Sequence, residues 1–111
     1  MSWDIWLEDM ETKEQIKDLG NYTHNCNQML RLANFSFNDI HGSCCAVAAI
    51  RLEMVLTFLI LNQEECESMN PSNGWGDYES LLKYTRNIYN ACKKESSRVM
   101  STSNLIVKVS G

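Results

Sequence analysis

Trp3-Asp4-Ile5-Trp6-Leu7-Glu8-Asp9 sets Trp3, Ile5 and Leu7 on one face and Asp4, Trp6 and Glu8 on the other. A period of two marks a strand with one apolar face. Leu105, Val107 and Val109 alternate in the same way with Ile106, Lys108 and Ser110, which predicts a closing strand far away in sequence. Two such strands bury their apolar faces by meeting, and helical patterns lie between them. The fold class therefore reads as α+β.

Working inward, residues 9–20 are polar and end in glycine, as a turn or hairpin loop would, with Ile16 or Leu19 exposed. Residues 21–24 fit a short second strand. Asn25 stands where an N-cap belongs, ahead of Cys26, Met29, Leu30 and Ala33 at helical spacing, which predicts a first helix over 26–33. Phe35 and Phe37 fall in the next connection and are expected to plug the core. Gly42-Ser43 marks the start of a central helix whose buried stripe reads as Val47, Ile50, Met54, Val55, Phe58, Leu59 and Leu61. Residues 63–69 form an acidic connector containing Cys66.

A third helix follows, with Tyr78, Leu81, Leu82, Thr85, Ile88, Tyr89 and Cys92 as its stripe. Lys93 and Lys94 suit the negative end of its dipole. Residues 96–103 read as a polar loop. The expected order is β-β-α-α-α-β over residues 1–111 as a single domain. It forms a small three-stranded sheet, antiparallel or mixed, packed on three helices. So small a sheet has unpaired edges, and pairing them between chains would make a homo-oligomer.

The 111 residues are 44% hydrophobic and 22% charged, the balance of a folded globular domain. A net charge of −4 argues against DNA or RNA as partner, because polymer binding runs on phosphate neutralisation. The apolar run 44–61 is broken by Arg51 and Glu53, so no membrane partner is expected. No secretory leader is evident, and the five cysteines are odd in number and lack C-x-x-C spacing. Free thiols in a cytoplasmic protein are the expectation.

Reaction chemistry has few carriers. His41-Gly42-Ser43-Cys44-Cys45 places a histidine before two cysteines at a helix start, but no nucleophile signature surrounds them. His24, Cys26, His41, Cys44 and Cys45 are soft-metal ligand types at no familiar zinc spacing. Glu64, Glu65 and Glu67 read as a solvated run. The expectation is a protein without catalytic residues, metal or cofactor.

Binding groups are more evident. Residues 70–82, NPSNGWGDYESLL, pass from turn chemistry into a helix N-terminus beside an indole. Asn73, Gly74, Trp75 and Gly76 stand at that entry; Tyr22, Thr23 and Asn25 stand at the entry to the first helix. Trp75 and Tyr22 could stack a base, and Thr23 and Asn25 could read its polar edges. Backbone amides over 73–76 with Arg86 could hold phosphate, Arg31, Lys83 and Arg98 being further cations. The other reading of the same residues makes Trp75 a staple against the core and the asparagines plain caps.

Taken in order, Trp3-Asp4-Ile5-Trp6-Leu7-Glu8-Asp9, Asn21-Tyr22-Thr23-His24-Asn25 with Met29, Asn70-Pro71-Ser72-Asn73-Gly74-Trp75-Gly76-Asp77-Tyr78-Glu79 and Ile106-Val107-Lys108-Val109-Ser110 resemble a family of small bacteriophage and prophage proteins. The chain departs from that pattern at His24, where relatives carry serine, and at Leu30, where they carry tryptophan. Small phage proteins without catalytic motifs include host-defence antagonists, among them the oligomeric anti-Thoeris and anti-CBASS sponges that sequester nucleotide signals. The resemblance thus implies an anti-defence protein of the host bacterial cytosol that binds a nucleotide-derived immune signal without degrading it. The alternative is a phage protein that inhibits a host protein by direct contact, through a patch around Trp6, Ile16 and the acidic run 64–67.

Overall fold

The computed structural model describes residues 2–96 and 105–111. Three strands form one antiparallel sheet of order β2-β1-β3: β1 (Ser2–Asp9), β2 (Gln15–Thr23) and β3 (Leu105–Ser110). Between β2 and β3 run α1 (Asn27–Leu32), α2 (Cys45–Leu61), α3 (Gln63–Glu67) and α4 (Tyr78–Ser96). Two 3-10 turns, His24–Cys26 and Phe37–Ile40, flank α1. The α+β architecture with a three-stranded sheet is as the alternation at the two ends requires. Trp3, Ile5, Leu7, Val107 and Val109 bury the inner sheet face, while Trp6 and Lys108 sit with Glu8 on the outer face. No helix among the described residues is long and apolar enough to cross a membrane.

β2 is longer than residues 9–20 suggest, because the turn closes tightly. The Asp9 carboxylate accepts from the Thr12 and Glu11 N–H groups at 3.0 and 2.8 Å, and those bonds hold its pKa below the usual carboxylate range. Two irregularities then interrupt the β1–β2 ladder, one between Asp4 and Trp6 and one between Leu7 and Glu8. They break the alternation of residues 15–20 and disguise them as loop, whereas residues 21–23 are strand as expected. Tyr84 on α4 ties down the middle of β2, its Oη donating to the Gly20 carbonyl at 3.0 Å.

The free edge of β3 is closed by the chain itself. The Gly42 N–H donates to the Val107 carbonyl at 2.7 Å, and the Val107 N–H to the Ser43 carbonyl at 2.9 Å. His41 Nδ1 accepts from the Val109 N–H at 2.9 Å. That edge has no row of open backbone groups to offer another chain.

The helix entries differ in detail from the sequence reading. Thr23, rather than Asn25, caps the first turn, its Oγ1 accepting from the Asn25 N–H at 3.2 Å. Residues 63–67 are the helix α3, with Cys66 buried, where a connector was expected. α4 buries Tyr78, Leu81, Thr85, Ile88 and Cys92 as its periodicity predicts, and Tyr84 and Ala91 besides, while the expected Leu82 and Tyr89 are only partly buried. The expected polar loop beyond Ser96 lies outside the described residues.

The stripe of α2 needs correction. Its buried side is Cys45, Ala48, Ala49, Leu52, Val55, Leu56 and Leu59. Of the expected members, Val55 and Leu59 are buried, but Val47, Ile50, Met54 and Leu61 are exposed by 49, 63, 67 and 77%. The helix is apolar on nearly every side, so periodicity alone does not select a face. Packing selects the one with small residues, Cys45, Ala48 and Ala49, which let neighbouring elements approach closely.

Candidate binding cleft at Trp75

Residues 70–77 wrap from α3 to α4 through two left-handed glycines, Gly74 at φ 78° and Gly76 at φ 87°. Asn73 Oδ1 accepts from the Trp75 N–H at 2.9 Å, an Asx turn that throws the indole outward. Trp75 is 69% exposed, so it is not spent as a core staple. The Asn25 side-chain amide donates to the Trp75 carbonyl at 3.4 Å and ties the loop to the end of β2.

Beside the indole lies an open cleft of about 410 Å³, lined by Ser2, Asn21, Thr23, Asn25 and Trp75. The β1–β2 register builds it, because Ser2 pairs with Thr23. Asn21 and Thr23 share one face of β2, as residues two apart in a strand do. Both hydrogens of the Asn21 amide are committed, to Ser2 Oγ at 2.8 Å and Asp4 Oδ1 at 2.9 Å, which leaves its carbonyl oxygen as acceptor. The Asn25 amide likewise keeps its oxygen, and Thr23 its hydroxyl hydrogen. The cleft is therefore rich in acceptors, has hydroxyl donors and one large ring, and among the described residues has no cationic side chain in its lining.

Tyr22 lies between Asn21 and Thr23 and points the other way. Its ring stacks on Tyr84 at 5.1 Å between centroids, and its Oη meets Ser80 Oγ at 2.7 Å and the Asp77 carbonyl at 3.2 Å. Burial raises the pKa of this phenol well above its ordinary value. Tyr22 thus supports the floor of the loop and presents no face to the cleft.

The start of α4 is also committed. The Tyr78 N–H donates to Asn70 Oδ1 at 2.8 Å; Asp77 and Ser80 exchange side-chain-to-backbone bonds at 3.0 and 2.8 Å. Those donors are used within the loop, and the Asp77 carboxylate beside them is unfavourable to phosphate. Arg86 lies two turns further along α4, outside the cleft lining. Arg98 falls outside the described residues. A second open cleft of about 360 Å³ lies between β2 and α4, with Lys17, Asn87, Asn90 and Lys94 in its lining.

Of the expected binding residues, the cleft brings together Thr23, Asn25 and Trp75. Asn73, Gly74 and Gly76 shape the loop that carries the ring. Ser2 and Asn21 were missed by sequence reasoning. The alternation of β2 was the signal that could have found Asn21; Ser2 required the strand register.

The nucleophile and metal candidates are separated by their bonding. His41 is occupied by the Val109 N–H, and the His24 ring packs tilted by 44° against Trp3 at 4.2 Å between centroids. No group of three or more histidine, cysteine or acidic side chains is arranged to hold a metal among the described residues. The neighbouring Cys45 thiol, together with burial, pushes the Cys92 thiol up. Burial also raises Cys26 and Cys66. Of the five cysteines only Cys44 is exposed. A disulfide-exchange reagent at neutral pH is therefore expected to titrate one thiol per folded chain and five after denaturation. Two or more rapid thiols in the folded protein would contradict this burial.

No protein-family model, curated protein or solved structure matches this chain.

Proposed function

We propose that the cleft beside Trp75 binds a nucleotide-derived small molecule by its base and sugar and does not turn it over. The observation that carries this reading is an indole exposed by 69% at the rim of an acceptor-rich concavity. An exposed tryptophan costs a soluble protein apolar surface and is suited to stacking. A cleft of about 410 Å³ lies within the usual size of small-molecule sites. Carbonyl oxygens of Asn21 and Asn25 suit exocyclic amino groups or ribose hydroxyls. The described lining offers acceptors and a ring and no cationic side chain, which suits the base and sugar of such a ligand better than its phosphates. In the phage setting that the resemblance implies, retention without reaction removes an immune signal from its receptor, and catalytic groups are not needed for it.

The test is isothermal titration against cyclic dinucleotides and ADP-ribose derivatives. Base stacking is worth about 1–3 kcal/mol, so Trp75→Ala is expected to weaken binding of the responsive ligand by roughly ten- to a hundredfold. The variant should keep the wild-type melting temperature, because the ring contributes little to the core. Ligand recovered from the complex should have unchanged mass. No heat with any member of the panel, from well-folded protein, sinks the proposal. Capture of one host protein from lysate, with no small molecule released on denaturation, would favour direct contact with a host protein instead.

A further inference from the structure

Val47, Ile50, Met54 and Leu61 form an apolar stripe along the outer side of α2, with the half-buried Phe58 beside it. We infer that this stripe is the contact surface for a second copy of the same chain, the two α2 helices lying antiparallel about a twofold axis at Met54. The spacing carries the inference. Val47 and Leu61 lie seven residues to either side of Met54, and Ile50 and Phe58 lie four to either side. A stripe with that symmetry is complementary to itself when reversed. One copy's 47–50 half covers the other copy's 58–61 half, and Met54 meets Met54.

Charge and area agree with this occupant. α2 carries two charged residues, and both are engaged within the chain. Arg51 Nη2 lies 3.6 Å from Asp39 Oδ2, with its guanidinium 5.8 Å from the centre of the Phe35 ring. Glu53 Oε2 accepts from Tyr89 Oη at 3.4 Å. Neither has to be stripped of water alone when the stripe is covered. Reversal also brings the positive N-terminal end of each α2 toward Glu64 and Glu65 at the start of the other copy's α3.

The stripe exposes on the order of 500 Å² of apolar surface, the upper end of what monomers carry. Two such faces with their polar margins reach roughly 1,000 Å² or more, the threshold of a specific interface. The β3 edge does not compete, since it is already covered by residues 41–44. This surface is independent of the Trp75 cleft.

Sedimentation of the full chain at tens of micromolar should give a dimer. Met54→Glu places two carboxylates together on the axis and should raise the dissociation constant at least a hundredfold; circular dichroism should still report the wild-type helix content. Met54→Leu should remain dimeric. Met54→Cys in a Cys44→Ser background should form a disulfide-linked dimer within minutes of adding diamide, whereas Ala46→Cys, off the stripe, should not. A monomeric wild type, including one that instead adsorbs to lipid vesicles, overturns the inference. So does a dimer that persists in Met54→Glu or fails to cross-link through position 54.

Discussion

Replacing Phe37 with alanine is expected to destabilise the protein by about 3–5 kcal/mol, the range for deleting a fully buried aromatic ring. Phe37 has no exposed surface and sits where the sheet, the segment after α1, and α4 converge. Its ring meets Trp3, Phe35 and Tyr84 edge-on, at 5.9, 5.7 and 5.7 Å between centroids. Each such pair adds about 0.5–1.5 kcal/mol beyond the area it buries, so truncation forfeits three of them and leaves a cavity. A domain of this size has about 5–15 kcal/mol in total, so the loss is a large share of it. Urea unfolding should show a lower midpoint with unchanged slope, and the melting temperature should fall by on the order of 15 °C. Phe35→Ala should cost less, because part of the Phe35 environment is the half-exposed Arg51 guanidinium, which can relax into the space. A loss below about 1.5 kcal/mol for Phe37→Ala would mean that the cluster does not close the core.

The same cluster shows what could be read from the sequence. Two phenylalanines in a polar connection have few uses except as plugs, and both are buried. β1, β3 and α4 were legible because each has one apolar and one polar side, so periodicity and burial coincide. α2 was legible as a helix but not as a face. Large aliphatic residues stand on both sides, Leu52, Val55, Leu56 and Leu59 inward against Val47, Ile50, Met54 and Leu61 outward, so hydrophobicity does not choose the face; the side that also carries the small Cys45, Ala48 and Ala49 takes the core because close packing depends on shape. The end of β2, residues 21–23, was legible as a short strand, while residues 15–20 were hidden by the bulges and by their polar composition. The candidate cleft was half legible. Trp75, Thr23 and Asn25 stood out as ring and polar groups at helix entries. Tyr22 belonged with them by proximity in sequence, but strand alternation turns it inward. Ser2 arrives only through pairing with Thr23, and no local pattern encodes that.

Gly76→Ala is the most informative single change at the cleft. Gly76 has φ 87°, where a side chain costs about 1 kcal/mol even in open space. Space is not open there: a Cβ would stand 2.7 Å from Thr23 Cγ2, 3.0 Å from Tyr22 Oη and 3.2 Å from Cys26 Sγ. Thr23 lies on the strand, and the Tyr22 hydroxyl is held by Ser80 and Asp77, so neither yields cheaply. The loop must lift instead, which adds about 1–3 kcal/mol of overpacking. The expected total is about 3 kcal/mol, with loss of the 3.4 Å bond from Asn25 to the Trp75 carbonyl and displacement of the ring from the cleft. Gly74→Ala is the control. Its φ is 78°, but nothing lies within 4 Å of the added carbon, so it should lose about 1 kcal/mol and keep the cleft intact. Denaturant unfolding of the two variants separates backbone strain from collision. Equal losses would show that the loop does not rest against β2 as tightly as the Gly76 contacts require.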